Sequence, residues 1–219
     1  MISVVIPTLD EEDCVAAAIG SATAAGPGVE VIVVDGGSRD RTVARAAATG
    51  ARVLTSARGR GLQLDFGARR SSGTWLVFLH ADTRLEAGWD RALADVAPGV
   101  VGGAFRFAVD SARGGYRIVE AGVALRCRTF LLPFGDQGLF VRRRAYFVAG
   151  GFPPLPLMED VAFVRRLAAQ GPLAFLGARA YTSPRRWERR GLLNTTLRNW
   201  GLLALYAAGL PPHRLARLY

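Results

Sequence analysis

The chain contains no lysine: all 28 of its basic residues are arginine, set against 18 acidic residues and a formal charge of +10. That absence removes a P-loop lysine, a Schiff-base lysine and lysine-dependent nucleotidyl transfer from consideration. Cysteine is scarce as well. Cys14 and Cys127 lie far apart, with no Cys-x-x-Cys and no Cys/His cluster, which argues against a disulfide framework or a zinc site and points to a reducing, cytosolic compartment. Long apolar runs are missing too. The chain opens directly in Ile2-Ser3-Val4-Val5-Ile6, so no secretory signal is expected, and Trp200 to Leu210 falls well short of the roughly 20 residues needed to cross a bilayer. No Gly-x-Gly-x-x-Gly follows the first strand, which argues against a dinucleotide-dependent dehydrogenase.

What is present is a β-α-β rhythm. Half the residues are apolar, enough for one sizeable α/β core. Short β-branched runs predict strands over 2–7, 30–35, 51–55 and 74–80 and around 100–109; amphipathic stretches between them predict helices over 11–24, 40–49, 59–71 and 85–96. This alternation implies a mostly parallel sheet flanked by helices. The second half is less regular, with a helix over 112–129, a strand over 138–141 and a helix opening at Met158-Glu159-Asp160. The Pro-rich stretch from Gly150 to Pro156 reads as a mobile or acceptor-side loop.

Three strands end in polar residues. Leu79-His80-Ala81-Asp82-Thr83 follows the apolar run Trp75 to Phe78, and Val4 to Ile6 and Val31 to Val34 lead in the same way into Thr8, Asp10 and Asp35. Asp10 and Asp40 stand where helix N-caps are expected. Parallel sheets bind ligands beyond the carboxyl ends of their strands, so Thr8, Asp10, Asp35 and Asp82 are expected to gather at one edge.

In order along the chain, Val5-Ile6-Pro7-Thr8-Leu9-Asp10-Glu11, Val33-Val34-Asp35-Gly36-Gly37-Ser38-Arg39-Asp40, Asp65-Phe66-Gly67, Leu79-His80-Ala81-Asp82 and Glu159-Asp160 resemble the motifs of the inverting glycosyltransferases of family 2. A small bacterial branch with His-Ala-Asp-Thr at the metal motif, Phe134-Gly135-Asp136-Gln137-Gly138 and Leu157-Met158-Glu159-Asp160 is the more particular likeness. The resemblance implies a GT-A fold over 1–187, a helical C-terminal extension over 188–219, and transfer of a sugar from a nucleotide-diphosphate sugar to an acceptor hydroxyl. It assigns a divalent cation, Mn2+ or Mg2+, to Asp82, and the general base to Asp160. Pro7, Thr8, Leu9, Glu11, Asp35, Gly36, Asp65 and Ala81 fall on the nucleotide side. Asp136, Gln137, Glu159, Arg186 and Trp187 fall on the donor-sugar, diphosphate or acceptor side. His80 replaces the acid common in the family, and three roles stay open for it: cation ligand, ribose or sugar contact, and packing at the strand end. Asp65 stands where asparagine is common.

The arginine excess suits phosphates or an anionic surface. In the tail, Arg189, Arg190, Arg198, Arg214 and Arg217 surround Leu192, Leu193, Leu197, Trp200, Leu202, Leu203, Leu205 and Tyr206. This pattern fits an interfacial helix reaching a lipid-linked acceptor, or a helix docked on the domain or in a homodimer. The expected location is cytoplasmic, with peripheral contact on the inner membrane face as the variant. A non-catalytic nucleotide-fold protein that binds anionic membrane or nucleic acid is the competing reading, although no motif that reads RNA or DNA is present and nucleic acid is not an expected partner.

Overall fold

A computed structural model describes residues 1–219. The strands are β1 (Ile2–Thr8), β2 (Val29–Asp35), β3 (Arg52–Thr55), β4 (Trp75–Phe78), β5 (Thr83–Leu85), β6 (Gly102–Val109), β7 (Leu139–Arg142) and β8 (Leu173–Thr182). The helices are α1 (Val15–Thr23), α2 (Thr42–Ala48), α3 (Arg60–Arg70), α4 (Trp89–Ala94), α5 (Gly115–Phe130), α6 (Arg143–Val148), α7 (Glu159–Ala168), α8 (Arg185–Arg190), α9 (Leu192–Ala207) and α10 (Pro212–Leu218). One eight-stranded sheet runs β3-β2-β1-β4-β7-β6-β8-β5. β3, β2, β1 and β4 are parallel, as the alternating pattern implies, while β7 runs antiparallel to both β4 and β6.

Alternation along β1 divides the core. Val4 and Ile6 point to the layer of α1, α2 and α4, where Ile19, Ala46, Trp89 and Leu93 cover them; Val5 points to the layer of α3, α6 and α7 with Leu64, Tyr146 and Phe163. Gly67 explains the close seating of α3. A Cβ there would overlap Val5 and come within 2.9 Å of a Val34 methyl. Phe78 at the end of β4 meets Phe152 at 4.8 Å, and Phe152 meets Phe163 of α7 at 4.5 Å, so an aromatic cluster aims the start of α7 at the strand end that carries Asp82.

Several elements differ from expectation. Helix α1 begins at Val15 rather than near residue 11, because Glu11 to Cys14 form a turn. Asp10 caps no helix: with φ at +54°, it accepts the Arg39 N–H at 2.7 Å. Asp40 accepts from the Thr42 N–H at 2.9 Å and from the Glu12 N–H at 3.1 Å, stitching the two loops together. β5, α6 and β8 lack the apolar period that would announce them. The Pro-rich loop is pinned rather than mobile, since Phe152 is buried and the Pro153 carbonyl lies against Gly61. A boundary at 187/188 cuts through α8, and Leu202 and Leu215 of the tail enter the main core. The tail is therefore docked on the domain.

Candidate active site

The donor-side loops are organised by saturated polar groups. Asp35 is 3% exposed; its Oδ2 accepts from the Gly37 and Ser38 N–H groups at 2.8 and 2.9 Å, and its Oδ1 from the Thr8 hydroxyl at 3.2 Å and from the Ser38 hydroxyl. Three of the four bonds hold the Gly36-Gly37-Ser38 turn and the fourth ties it to Thr8 of β1. Gln63 of α3, which no motif in the sequence singles out, donates to the carbonyls of Thr8 and Val34, both at 2.8 Å. It buckles the carboxyl ends of β1 and β2 together. Gly36 serves that contact, because a Cβ there would sit 3.1 Å from the Gln63 amide. Pro7 and Thr8 are buried beside Val34 and Asp35, and Leu9 is half-buried at the loop entrance.

Two residues assigned to the nucleotide side face elsewhere. Asp65 accepts from the Tyr146 hydroxyl at 3.0 Å and from Arg69 at 2.7 Å, tying α3 to α6, because its helical position turns it away from the strand ends. Ala81 is buried in the core with Ile6 and Leu79. Gln137 is also internal rather than a ligand contact: its Oε1 accepts from Arg126 and from the Phe134 N–H, both at 3.1 Å, within the short 3-10 turn Gly135–Gln137.

Asp82 emerges at the predicted strand end with its side chain 26% exposed. Arg185, at the start of α8, donates to Glu11 at 2.7 Å and lies 3.9 Å from the Asp82 carboxylate, so the three form an open acidic-basic group. Glu11 is pushed up by burial against the opposing pull of Arg185. No three His, Cys, Asp or Glu side chains converge to cage a cation. A divalent ion on Asp82 would draw its remaining oxygens from a bound diphosphate, and a single partly exposed carboxylate at a strand end fits that division.

A cavity of about 70 Å3 lies alongside, lined among others by Arg60, His80, Asp136, Asp160, Arg186 and Tyr219. Asp160 is held in the first turn of α7. Its Oδ2 accepts from the Gly135 N–H and its Oδ1 from the Val161 N–H, each at 2.8 Å. Met158, just before α7, adopts φ of +63°, an uncommon conformation for a side chain-bearing residue, and so turns the chain sharply into the helix. Glu159, 1% exposed, pairs with Arg60 instead of facing the cavity. Burial raises the Glu159 carboxyl and Arg60 opposes it; Arg60 is itself driven up, against burial, by Glu159 and Asp160. His80 is held well below its ordinary value by burial and by Arg60 and Arg186. Its ring faces the Gly135 and Asp160 side of the cavity, since a Cβ on Gly135 would lie 2.8 Å from His80 Nε2 and 3.5 Å from Asp160 Oδ2.

Arg186 reaches this cavity as expected. Trp187 does not close over it; it is buried 6.2 Å from Phe107 and 6.1 Å from Tyr116, ring to ring, beneath α5. Arg185, Arg60 and Gln63 were not assigned from sequence. Arg185 directly precedes the two assigned residues Arg186 and Trp187, and the other two sit on a helix whose pattern shows only amphipathicity.

Fold and site together define an α/β protein of the nucleotide-sugar-transferase architecture, with acidic and basic groups gathered beyond the carboxyl ends of parallel strands. The chain belongs to glycosyl transferase family 2, whose profile matches residues 3–147. It is 39% identical over 92 residues to a glucosyl-3-phosphoglycerate synthase of Mycolicibacterium paratuberculosis, an alignment covering 37% of this chain and 28% of that protein. The Mycobacterium tuberculosis glucosyl-3-phosphoglycerate synthase, solved with Mn2+, UDP and glucosyl-3-phosphoglycerate, superposes with a TM-score of 0.58 at 26% identity, covering 83% of this chain and 71% of that one. TarS 1-349 of S. aureus shares the fold with a TM-score of 0.63 at 16% identity, over 84% of this chain and 60% of that one. The chain thus spans 28% of the length of the curated relative and 60% of the TarS fragment.

Proposed function

We propose that this protein is an inverting glycosyltransferase that moves a sugar from a nucleotide-diphosphate donor to an acceptor hydroxyl. The observation that carries the reading is Asp160, fixed by two backbone N–H groups in a cavity that also presents Arg60 and Arg186, beside the strand end bearing Asp82. As the acceptor oxygen bonds to the anomeric carbon, its proton passes to Asp160. The bond from that carbon to the terminal phosphate oxygen breaks, and the electron pair leaves with the nucleoside diphosphate. Attack opposite the leaving group inverts the anomeric centre. The Gly135 and Val161 N–H groups hold the carboxylate in position, and Arg185, Arg186 and Arg60 set positive charge where the diphosphate builds up negative charge. Asp82 would hold Mn2+ or Mg2+, which when bound supplies Lewis-acid neutralisation of the diphosphate. The cations and UDP seen with the mycobacterial synthase support that assignment.

In this reading residues 1–187 supply the donor half and the base, and the His-Ala-Asp-Thr motif is the cation arm. His80, neutral and close to Asp160, serves as a donor-sugar contact. No helix is long and apolar enough to cross a membrane. Work in the cytoplasm, with the tail resting on the inner membrane face, agrees with the arginine fringe; a homodimer through the tail is the other arrangement. The test is thermal stabilisation by UDP-, GDP-, dTDP- and CMP-sugars with and without Mn2+ or Mg2+. A cation-dependent shift with one nucleotide is expected. No shift with any of them, together with salt-steep binding to anionic lipid or nucleic acid, would favour the non-catalytic reading instead.

A further inference from the structure

Beside the reaction cavity lies a second, larger one of about 300 Å3 between α5 and α9, walled by Ile118, Val123, Phe134, Leu193, Trp200 and Leu203. The two cavities adjoin: Phe134, Asp136 and Asn199 line both. Two polar atoms at its inner end have no partner. Trp187, 8% exposed, leaves its Nε1–H unpaired, and the Asp136 Oδ1 is sealed from solvent without a donor. Buried polar groups without partners are rare and costly, so Asp136, which borders both cavities, and Trp187, which borders the larger one, mark that wall as the place for a polar ligand atom.

The outer end is apolar and open. Ile118 on α5 and Leu193 on α9 are each 76% exposed, and Leu197, one turn beyond Leu193, is 70% exposed. Leu125 and Trp200 continue the two stripes at the spacing of one helix face. Exposed Arg128, Arg189 and Arg190 lie on or beside the same helices. A protein seated on this face would close the route from outside to Asp160, whereas a bilayer both covers the stripes and feeds the groove.

We propose that the acceptor is a lipid alcohol: its hydroxyl binds at Asp136, next to the Asp160 base, and its hydrocarbon chain lies in the α5–α9 groove, entering from an anionic membrane surface. This rests on the transferase reading and adds its acceptor class.

Three measurements on the full chain test it. A brominated-tail dodecyl maltoside below its micelle concentration should quench the emission of Trp187 and Trp200, and the quenching should fall in Trp200→Phe. With whichever nucleotide-sugar stabilises the protein, nucleoside diphosphate release driven by 1-alkanols from butanol to decanol should show kcat/KM rising about fourfold per methylene until the chain outgrows the groove. The double variant Ile118→Asp, Leu193→Asp changes only exposed side chains, so it should fold; it should flatten the chain-length series and lose flotation with phosphatidylcholine vesicles containing phosphatidylglycerol. Val148→Asp, on the remote α6, should do neither. A donor that binds and is turned over with no dependence on alkyl length, or no quenching at all, overturns the lipid acceptor and leaves the transferase reading standing. Quenching without stabilisation by any nucleotide-sugar sinks the transferase reading and with it the acceptor role of the groove.

Discussion

The loops after β1 and β2 and the segment from Phe134 to α9 both border the site, yet they treat their polar groups in opposite ways. In the first region Asp35, Asp40 and Gln63 spend their hydrogen-bonding capacity on neighbouring backbone and hydroxyl groups. In the second, Asp136 and Trp187 keep buried polar atoms unpaired, and a wide apolar cavity stays open. Saturated groups build a rigid cradle; unsatisfied ones store a cost that a ligand can relieve. The comparison assigns shape to the first region and chemistry to the second.

The sharpest way to break that division is to alter chemistry without altering shape. Asp160→Asn keeps the size of the side chain and removes the proton acceptor, so turnover should fall by about 10²–10⁴. Stabilisation by the nucleotide donor should persist, because the donor-side loops are untouched. Steady-state rates beside thermal shifts measure both, and full turnover in the variant would remove Asp160 from its role as base. Next in size is Asp82→Ala, which should abolish the cation-dependent part of donor stabilisation. Chelation of the wild type with EDTA should reproduce that loss, and a variant that still responds to Mn2+ would place the cation elsewhere.

The first region should answer in stability instead. Gln63→Leu leaves the Thr8 and Val34 carbonyls buried without a donor, and the expected cost is about 1–3 kcal/mol. For a chain of this size that is a drop of several degrees in Tm, since each kcal/mol is worth roughly 2–4 °C. Heat denaturation followed by circular dichroism measures it. An unchanged Tm would mean that the two strand ends are held together by ladder pairing alone.

How far the sequence reached follows the same division. β1, β2 and β4 were legible because parallel strands buried on both faces read as unbroken β-branched runs, and the order of short motifs pointed to Asp82 and Asp160, which the fold places at a strand end and in the adjacent cavity. The contacts that Asp35, Gly36, Asp65 and Gln137 make within the fold were not. A polar side chain looks the same in the sequence whatever it binds, and only the positions of Ser38, Tyr146 and Arg126 reveal the partners it has within the fold. β8 and α6 escaped because β8 is only half-buried along most of its length, without a clean alternation, and α6 is too short to show a period. The α5–α9 groove was invisible for a different reason: an apolar stripe on each helix reads as core until the partner helix is seen to leave it open.

The smallest effect expected is also the one most specific to the second region. Burial raises the Asp136 carboxyl above its ordinary value, with Arg126 and Arg186 only partly opposing. A carboxyl whose folded value exceeds its unfolded value contributes full stability below the unfolded value and loses it as pH rises through the folded one. At neutral pH, above the ordinary carboxyl range, the buried Asp136 is therefore a net cost to the fold. Asp136→Asn removes that titration at constant volume and should raise Tm by a few degrees near pH 7.5, with the gap to wild type narrowing as pH falls toward 4. The same variant should weaken acceptor use, raising KM for the acceptor more than it lowers kcat, because an amide offers an acceptor hydroxyl a weaker partner than a carboxylate does. A stabilised variant with slower transfer is what a residue kept for its ligand predicts. A variant that loses stability at every pH would instead make Asp136 part of the scaffold, and would erase the contrast between the two sides of the site.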